Sequence, residues 1–243
     1  MIKKIEISFW FDELSFHPKN KINELQEELK SIIDTPLLYS DEDINHYIAM
    51  PRIQGMSSNK CFSFHMSLIN CYLAININSK DIDEIILVVN NNIQYLYDIV
   101  TKVFEIQIRY TSLKVEIMEE LDDALLVLSK RFGFDDKMED FSMRKGFIKD
   151  DYYINILLNS GKEYNYNIEK KEQYTEQDIF DKTMITSLQN AHKNKEFINE
   201  FIEINDRNAF NKDANYFSKK EVIRGMIIEL KDILNNKKYD IDF

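Results

Sequence analysis

Asp151, Glu169 and Lys171 are the residues of this chain whose types and order come closest to a catalytic set. Asp150-Asp151 opens one predicted strand, and Glu169-Lys170-Lys171 closes the next but one. Two carboxylates brought together on neighbouring strands hold a divalent cation. A lysine beside them steadies the attacking water or the charge that develops in hydrolysis.

A carboxylate followed by Glu-x-Lys on an adjacent strand resembles the core of restriction-type nucleases, and that resemblance implies a metal-dependent nuclease or other hydrolase centred on these three residues. Asp and Glu together make up 42 of 243 residues, so chance supplies such spacings readily. The helix that supports the motif is missing before Asp150. Strand-end charges facing water are the simpler reading. Asp122-Asp123 and Asp135-Asp136 read as a solvated helix turn and a loop.

Other chemistries find less. The histidines His17, His46, His65 and His192 are scattered, with no pair on one helix face and no zinc spacing to Cys61 or Cys71. The five glycines are isolated, so no Gly-rich phosphate loop exists. No Gly-x-Ser-x-Gly is present. Cys61 and Cys71 read as buried small hydrophobes in strand-like text. The sequence therefore assigns no catalytic, cofactor-binding or metal-ligating residue, and no cofactor.

The formal net charge is −11, and neither half of the chain is basic. Binding to nucleic acid rests on neutralised phosphates, so it is not expected here. Acidic charge favours encounter with a basic protein surface. Aromatic side chains supply the anchors. Trp10, between Phe9 and Phe11, is either an interface anchor or part of a second buried layer. Tyr152, Tyr153, Tyr164 and Tyr166 are either cross-strand pairs or a binding surface.

The elements that must position these residues read as follows. Ile5, Ile7, Phe9 and Phe11 alternate as a strand. Ile22, Leu25, Leu29, Ile32 and Ile33 predict a helix between Pro18 and Asp34. Residues 37–58 are ambiguous, with a strand over 47–53 and a turn over 55–58. Phe62 to Leu68 and Leu73 to Ile77 alternate as strands. Residues 81–104 fit either one long helix or, preferred because of Asn90-Asn91-Asn92, a buried strand at 84–89 and a helix at 92–104. A strand over 106–117 and a helix ending at Gly133 follow. Three short strands, 144–149, 152–158 and 163–169, are expected, with a hairpin turn at Asn159-Ser160-Gly161-Lys162.

After that the chain reads as helical. Thr175 with Asp178 and Ser218 with Glu221 form capping boxes. Leu188, Ala191, Ile198, Phe201 and Ile202 keep helical spacing between them, and His192 falls on a polar helix flank.

The fold class expected is α+β, with largely antiparallel sheet in both halves packed by amphipathic helices and a helical C-terminal segment. The expected division is 1–133 and 134–243, which also reads as one continuous domain. With 44% hydrophobic residues the core needs no disulfide or metal. No apolar run is long enough to span a membrane, and no export signal is visible at Met1-Ile2-Lys3-Lys4, so a cytoplasmic location is expected. Abundant Ile, Asn, Lys, Tyr and Phe, with AT-rich codons, point to a low-GC bacterial or mobile-element genome.

The leading expectation is a non-enzymatic protein-interaction module, of the kind used in bacterial defence, immunity or mobile-element conflict. Its partner is a protein, and self-association stays open. A metal-dependent hydrolase and a small-ligand sensor are the alternatives.

Overall fold

The structure is a computed structural model, and it describes residues 1–15, 18–40, 48–134, 140–166 and 191–236. These form two compact units. Unit 1 contains Met1–Ile117, Arg144–Leu157 and Phe201–Phe243; unit 2 contains Met118–Met143 and Leu158–Glu200.

Unit 1 is built on β1 (Ile2–Phe11). Its odd positions Ile5, Ile7, Phe9 and Phe11 are buried, as the alternation predicts. β1 pairs antiparallel with β5 (Asn70–Ser79) on one side and β6 (Ile108–Leu121) on the other. Three shorter strands, β2 (Leu38–Tyr39), β3 (Ile53–Met56) and β4 (Phe62–Met66), continue the antiparallel sheet beyond β5. Of β7 (Ser142–Lys149), β8 (Tyr152–Tyr166) and β9 (Ala191–Asn205), the stretches 144–149, 152–157 and 201–205 belong to unit 1. The strand order is β2-β3-β4-β5-β1-β6-β9-β8-β7.

Three helices close the inward face of this sheet. They are α1 (Lys19–Leu29), α2 (Ile82–Phe104) and the C-terminal helix, which we label α5 (Lys220–Asn236). Leu25 and Leu29 of α1, Ile85, Val89, Ile93, Leu96 and Val100 of α2, and Ile223, Met226 and Leu230 of α5 share one core with Ile5, Ile7, Phe9, Leu73, Leu113 and Val115. Tyr97 of α2 meets Phe9 edge-on at 5.7 Å. None of the described helices is long and apolar enough to cross a membrane.

Several expectations are corrected. Residues 82–104 form the single helix α2, not a strand followed by a helix. The Asp81 side chain caps it by accepting from the backbone N–H of Asp83 and Glu84. Asn92 does not break it, because its amide donates back to the Val88 carbonyl at 2.8 Å.

The helix predicted across 191–202 is strand β9. A spacing of four, as between Ile198 and Ile202, keeps two residues on one side of a helix and of a strand alike. Burial at Glu196, Ile198, Ile202 and Ile204 follows period two and decides for the strand.

The hairpin turn expected at 159–162 lies within β8, and the β7–β8 turn is instead Asp150-Asp151, with Asp150 at φ 54°. Gly161 serves a close approach. A Cβ there would stand 2.0 Å from the Phe197 ring. Gly55 and Met56, expected in a turn, lie in β3, and of the strand expected over 47–53 the described residues 48–52 are not strand while Ile53 begins β3. Ser218 is not the cap of α5, which begins two residues later; its hydroxyl bonds to Thr111 Oγ1 at 2.8 Å.

In unit 2, α3 (Ala124–Phe132) is capped by Asp123 and ends at Gly133, whose φ of 69° suits glycine. Ala124, Leu125 and Leu128 pack with Phe141, Leu158 and Ile198. The buried Glu196 carboxylate accepts from the Ala124 N–H at 2.7 Å, at the positive end of α3. Among the described residues one more helix, α4 (Arg207–Lys212), belongs to unit 1.

Candidate functional site

The same alternation that buries Ile5, Ile7 and Phe9 turns Glu6, Ser8 and Trp10 to the opposite face of β1. Register then sets their neighbours on β6: Glu6 faces Lys114, Ser8 faces Ser112, and Trp10 faces Tyr110. Together with Arg144, Asn155, Leu157, Phe201, Glu203, Asn205 and Arg207 these line a groove of 480 Å³ on the sheet face away from α1, α2 and α5. All of them belong to unit 1. The volume is in the range that takes a ligand or a few side chains of a partner.

One wall of the groove is a stack. The Trp10 and Tyr110 rings lie 5.4 Å apart and 14° from parallel. On Tyr110 also rest the Phe210 ring at 5.7 Å and the Arg207 guanidinium at 5.7 Å. Burial, more than any neighbouring charge, pushes the Tyr110 phenol up, so it stays a neutral donor. Across the groove Lys114 lies over the Phe201 ring at 5.0 Å.

The other wall is a polar network around Glu203. Its carboxylate accepts from Ser112 Oγ at 3.0 Å, Asn205 Nδ2 at 3.1 Å and Asn155 Nδ2 at 3.2 Å. Three neutral donors thus hold one carboxylate in a fixed orientation, which preorganises the surface. Arg144 reaches Asn155 Oδ1 at 3.5 Å. Glu6 accepts from Lys4 at 2.5 Å and stands 3.7 Å from Lys114. The groove holds flat rings, fixed hydrogen-bonding groups and charges of both signs.

Of the candidate set Asp151, Glu169 and Lys171, only Asp151 lies among the described residues. Asp151 sits in the β7–β8 turn, 3.6 Å from Lys212, in an exposed ion pair. Glu169 and Lys171 lie outside the described residues, as do Lys170, His17, His46, Asp135-Asp136 and the Thr175–Asp178 box. His192 falls in β9, not on a helix. His65 stacks on Tyr72 at 4.6 Å and 12°, and burial pushes its imidazole down.

Cys61 and Cys71 are free thiols. Cys71 is buried, and that burial pushes its thiol up, away from nucleophilic reactivity; Cys61 is half-buried. Asp123 serves as a helix cap. Tyr152, in the tyrosine cluster, donates to the Val222 carbonyl of α5 at 3.1 Å and packs inward. Among the described residues no three His, Cys, Asp or Glu side chains gather as metal ligands.

Trp10 is the one groove residue singled out from sequence. Glu203, Asn155, Asn205 and Arg207 were missed, because their convergence depends on strands far apart in the chain. A period-two reading of 196–205 would have placed Phe201, Glu203 and Asn205 on one face. Comparison with protein-family models, curated proteins and solved structures finds no match.

Proposed function

We propose that this protein is a non-catalytic recognition module that binds a partner protein through the open sheet face of unit 1. The observation that carries this reading is the groove itself, where a Trp10–Tyr110 stack and a hydrogen-bonded Glu203 network share one concave surface. A tryptophan on a rigid strand loses little entropy on binding, which suits an anchor. The chain's net charge of −11 speeds encounter with a basic partner at long range. The face of the groove then sets register. A role in cellular or mobile-element defence agrees with this reading and with the composition.

The test is affinity capture from native lysate with the full chain and with Trp10→Ala as baits, at equal folded concentration. A stoichiometric protein partner is expected with the wild type. Trp10→Ala is expected to weaken its binding about 30-fold, the loss that follows from removing a hot spot worth about 2 kcal/mol. Equal capture by both baits, or no stoichiometric partner, would sink the reading. The volume of the groove favours a small-ligand sensor as the second reading. Binding of a metabolite in place of a protein, with the same dependence on Trp10, would select it.

A further inference from the structure

Resting on the open-face reading, we propose that the partner segment entering the groove is acidic, with its carboxylates held by Arg207 and Arg144. Arg207 is the first residue of α4. Its guanidinium lies over Tyr110, and Tyr110 is itself stacked on Trp10. Stacking uses the flat face of a guanidinium and leaves its in-plane N–H donors open, so the ring stack orients Arg207 without consuming its hydrogen bonds. No carboxylate pairs with the Arg207 side chain among the described residues. Among the described residues Arg144 makes only the long contact to Asn155, at 3.5 Å.

The groove's own carboxylates do not meet this demand. Glu6 is taken by Lys4 and Lys114, and Glu203 by Ser112, Asn155 and Asn205. In a chain where acids outnumber bases 42 to 31, two arginines on one groove without a carboxylate stand out. An incoming carboxylate matches a guanidinium fork with two parallel hydrogen bonds. A neighbouring aromatic or aliphatic side chain covers Phe201 and Leu157. A phosphate offers similar oxygens, and the titration below separates the two sources; the chain's net charge of −11 opposes either anion at long range, so the attraction rests on the local pair of arginines.

Trp10 is the only tryptophan, so its fluorescence reports directly on this groove. The experiment titrates the full chain with a blocked pentapeptide of alternating aspartate and phenylalanine, with its asparagine-for-aspartate counterpart, and with inorganic phosphate. The acidic peptide is expected to change Trp10 emission saturably and to bind more weakly as salt rises. The asparagine peptide is expected to bind at least about tenfold more weakly. Arg207→Ala and Arg144→Ala should each weaken the acidic peptide about tenfold, with Arg207→Lys intermediate because the charge stays and the fork is lost. Thermal unfolding of each variant separates lost binding from lost folding, and Arg207→Gln replaces any variant that melts early.

No saturable response to the acidic peptide, an equal response to its asparagine counterpart, or a preference for phosphate overturns the inference. Partner capture lost in Trp10→Ala but unchanged in Arg207→Ala and Arg144→Ala would also overturn it, while leaving the open-face reading intact. Capture independent of all three would remove both.

Discussion

Asp206→Ala is expected to lower folding stability by about 3 kcal/mol, because it strips two buried donors and one half-buried donor of their acceptor. Asp206 is fully buried. Its carboxylate accepts from the Thr111 N–H at 2.6 Å and the Tyr216 hydroxyl at 2.7 Å, and it also bonds the Ser218 hydroxyl. Its own N–H donates to the Thr111 carbonyl at 3.2 Å, which ties the end of β9 to β6. The carboxylate thus joins β6, the start of α4 and the segment leading into α5.

Burial pushes the Asp206 carboxyl above its ordinary value of 3.8, against the hydrogen bonds from Ser218, Thr111 and Tyr216 that pull it down. Burial and the Asp206 charge together push the Tyr216 phenol up. The folded chain therefore keeps the Asp206 proton to a higher pH than the unfolded chain does. The stability this proton contributes is complete below 3.8 and is lost as pH rises through the elevated folded value. Asp206→Asn cannot ionise and costs about 1 kcal/mol at low pH. Urea unfolding from pH 4 to 8 should show the wild type's advantage over Asp206→Asn shrinking as pH rises. A widening gap would mean that the folded carboxyl lies below 3.8 and would contradict this account.

The second large effect concerns two adjacent residues. Phe9→Ala is expected to cost about 4 kcal/mol, the usual loss for a fully buried aromatic. Phe9 is 0% exposed and packs edge-on against Tyr97. Trp10→Ala is expected to cost only about 1 kcal/mol, from one lost ring stack at a half-buried position. The larger side chain thus matters less for folding, because β1 sends successive residues to opposite faces. Denaturant midpoints of the two variants check this, and comparable losses would mean that Trp10 belongs to a second core layer.

Much of the fold was legible wherever period and burial agreed. β1, α1, β4 and β5 follow from alternation or helical spacing in Ile5 to Phe11, Ile22 to Leu29 and Phe62 to Ile77, and β6 from the β-branched and aromatic residues of 106–117. The reading failed where local chemistry and packing conflicted. Three asparagines suggested a break at 90–92, yet Asn92 bonds within the helix and seven buried residues of α2 hold it on the sheet. Gly161 suggested a turn, yet it makes room for Phe197. Ile198 and Ile202 fit two periods, and neighbours on other strands chose between them.

The groove was less legible. Trp10 was visible as a residue type, but its meeting with Tyr110, Glu203 and Arg207 depends on the β1–β6–β9 order. Strand order follows from long-range pairing that no local pattern encodes.

Hydroxyl-radical footprinting of the captured complex tests the central claim most directly. The open-face account predicts that oxidation of Trp10, Tyr110 and Phe201 falls on binding, while exposed Leu87 and Ile228 on the helical side keep their reactivity. Protection confined to Leu87 and Ile228, with Trp10 oxidised as fast as in the free protein, would contradict it.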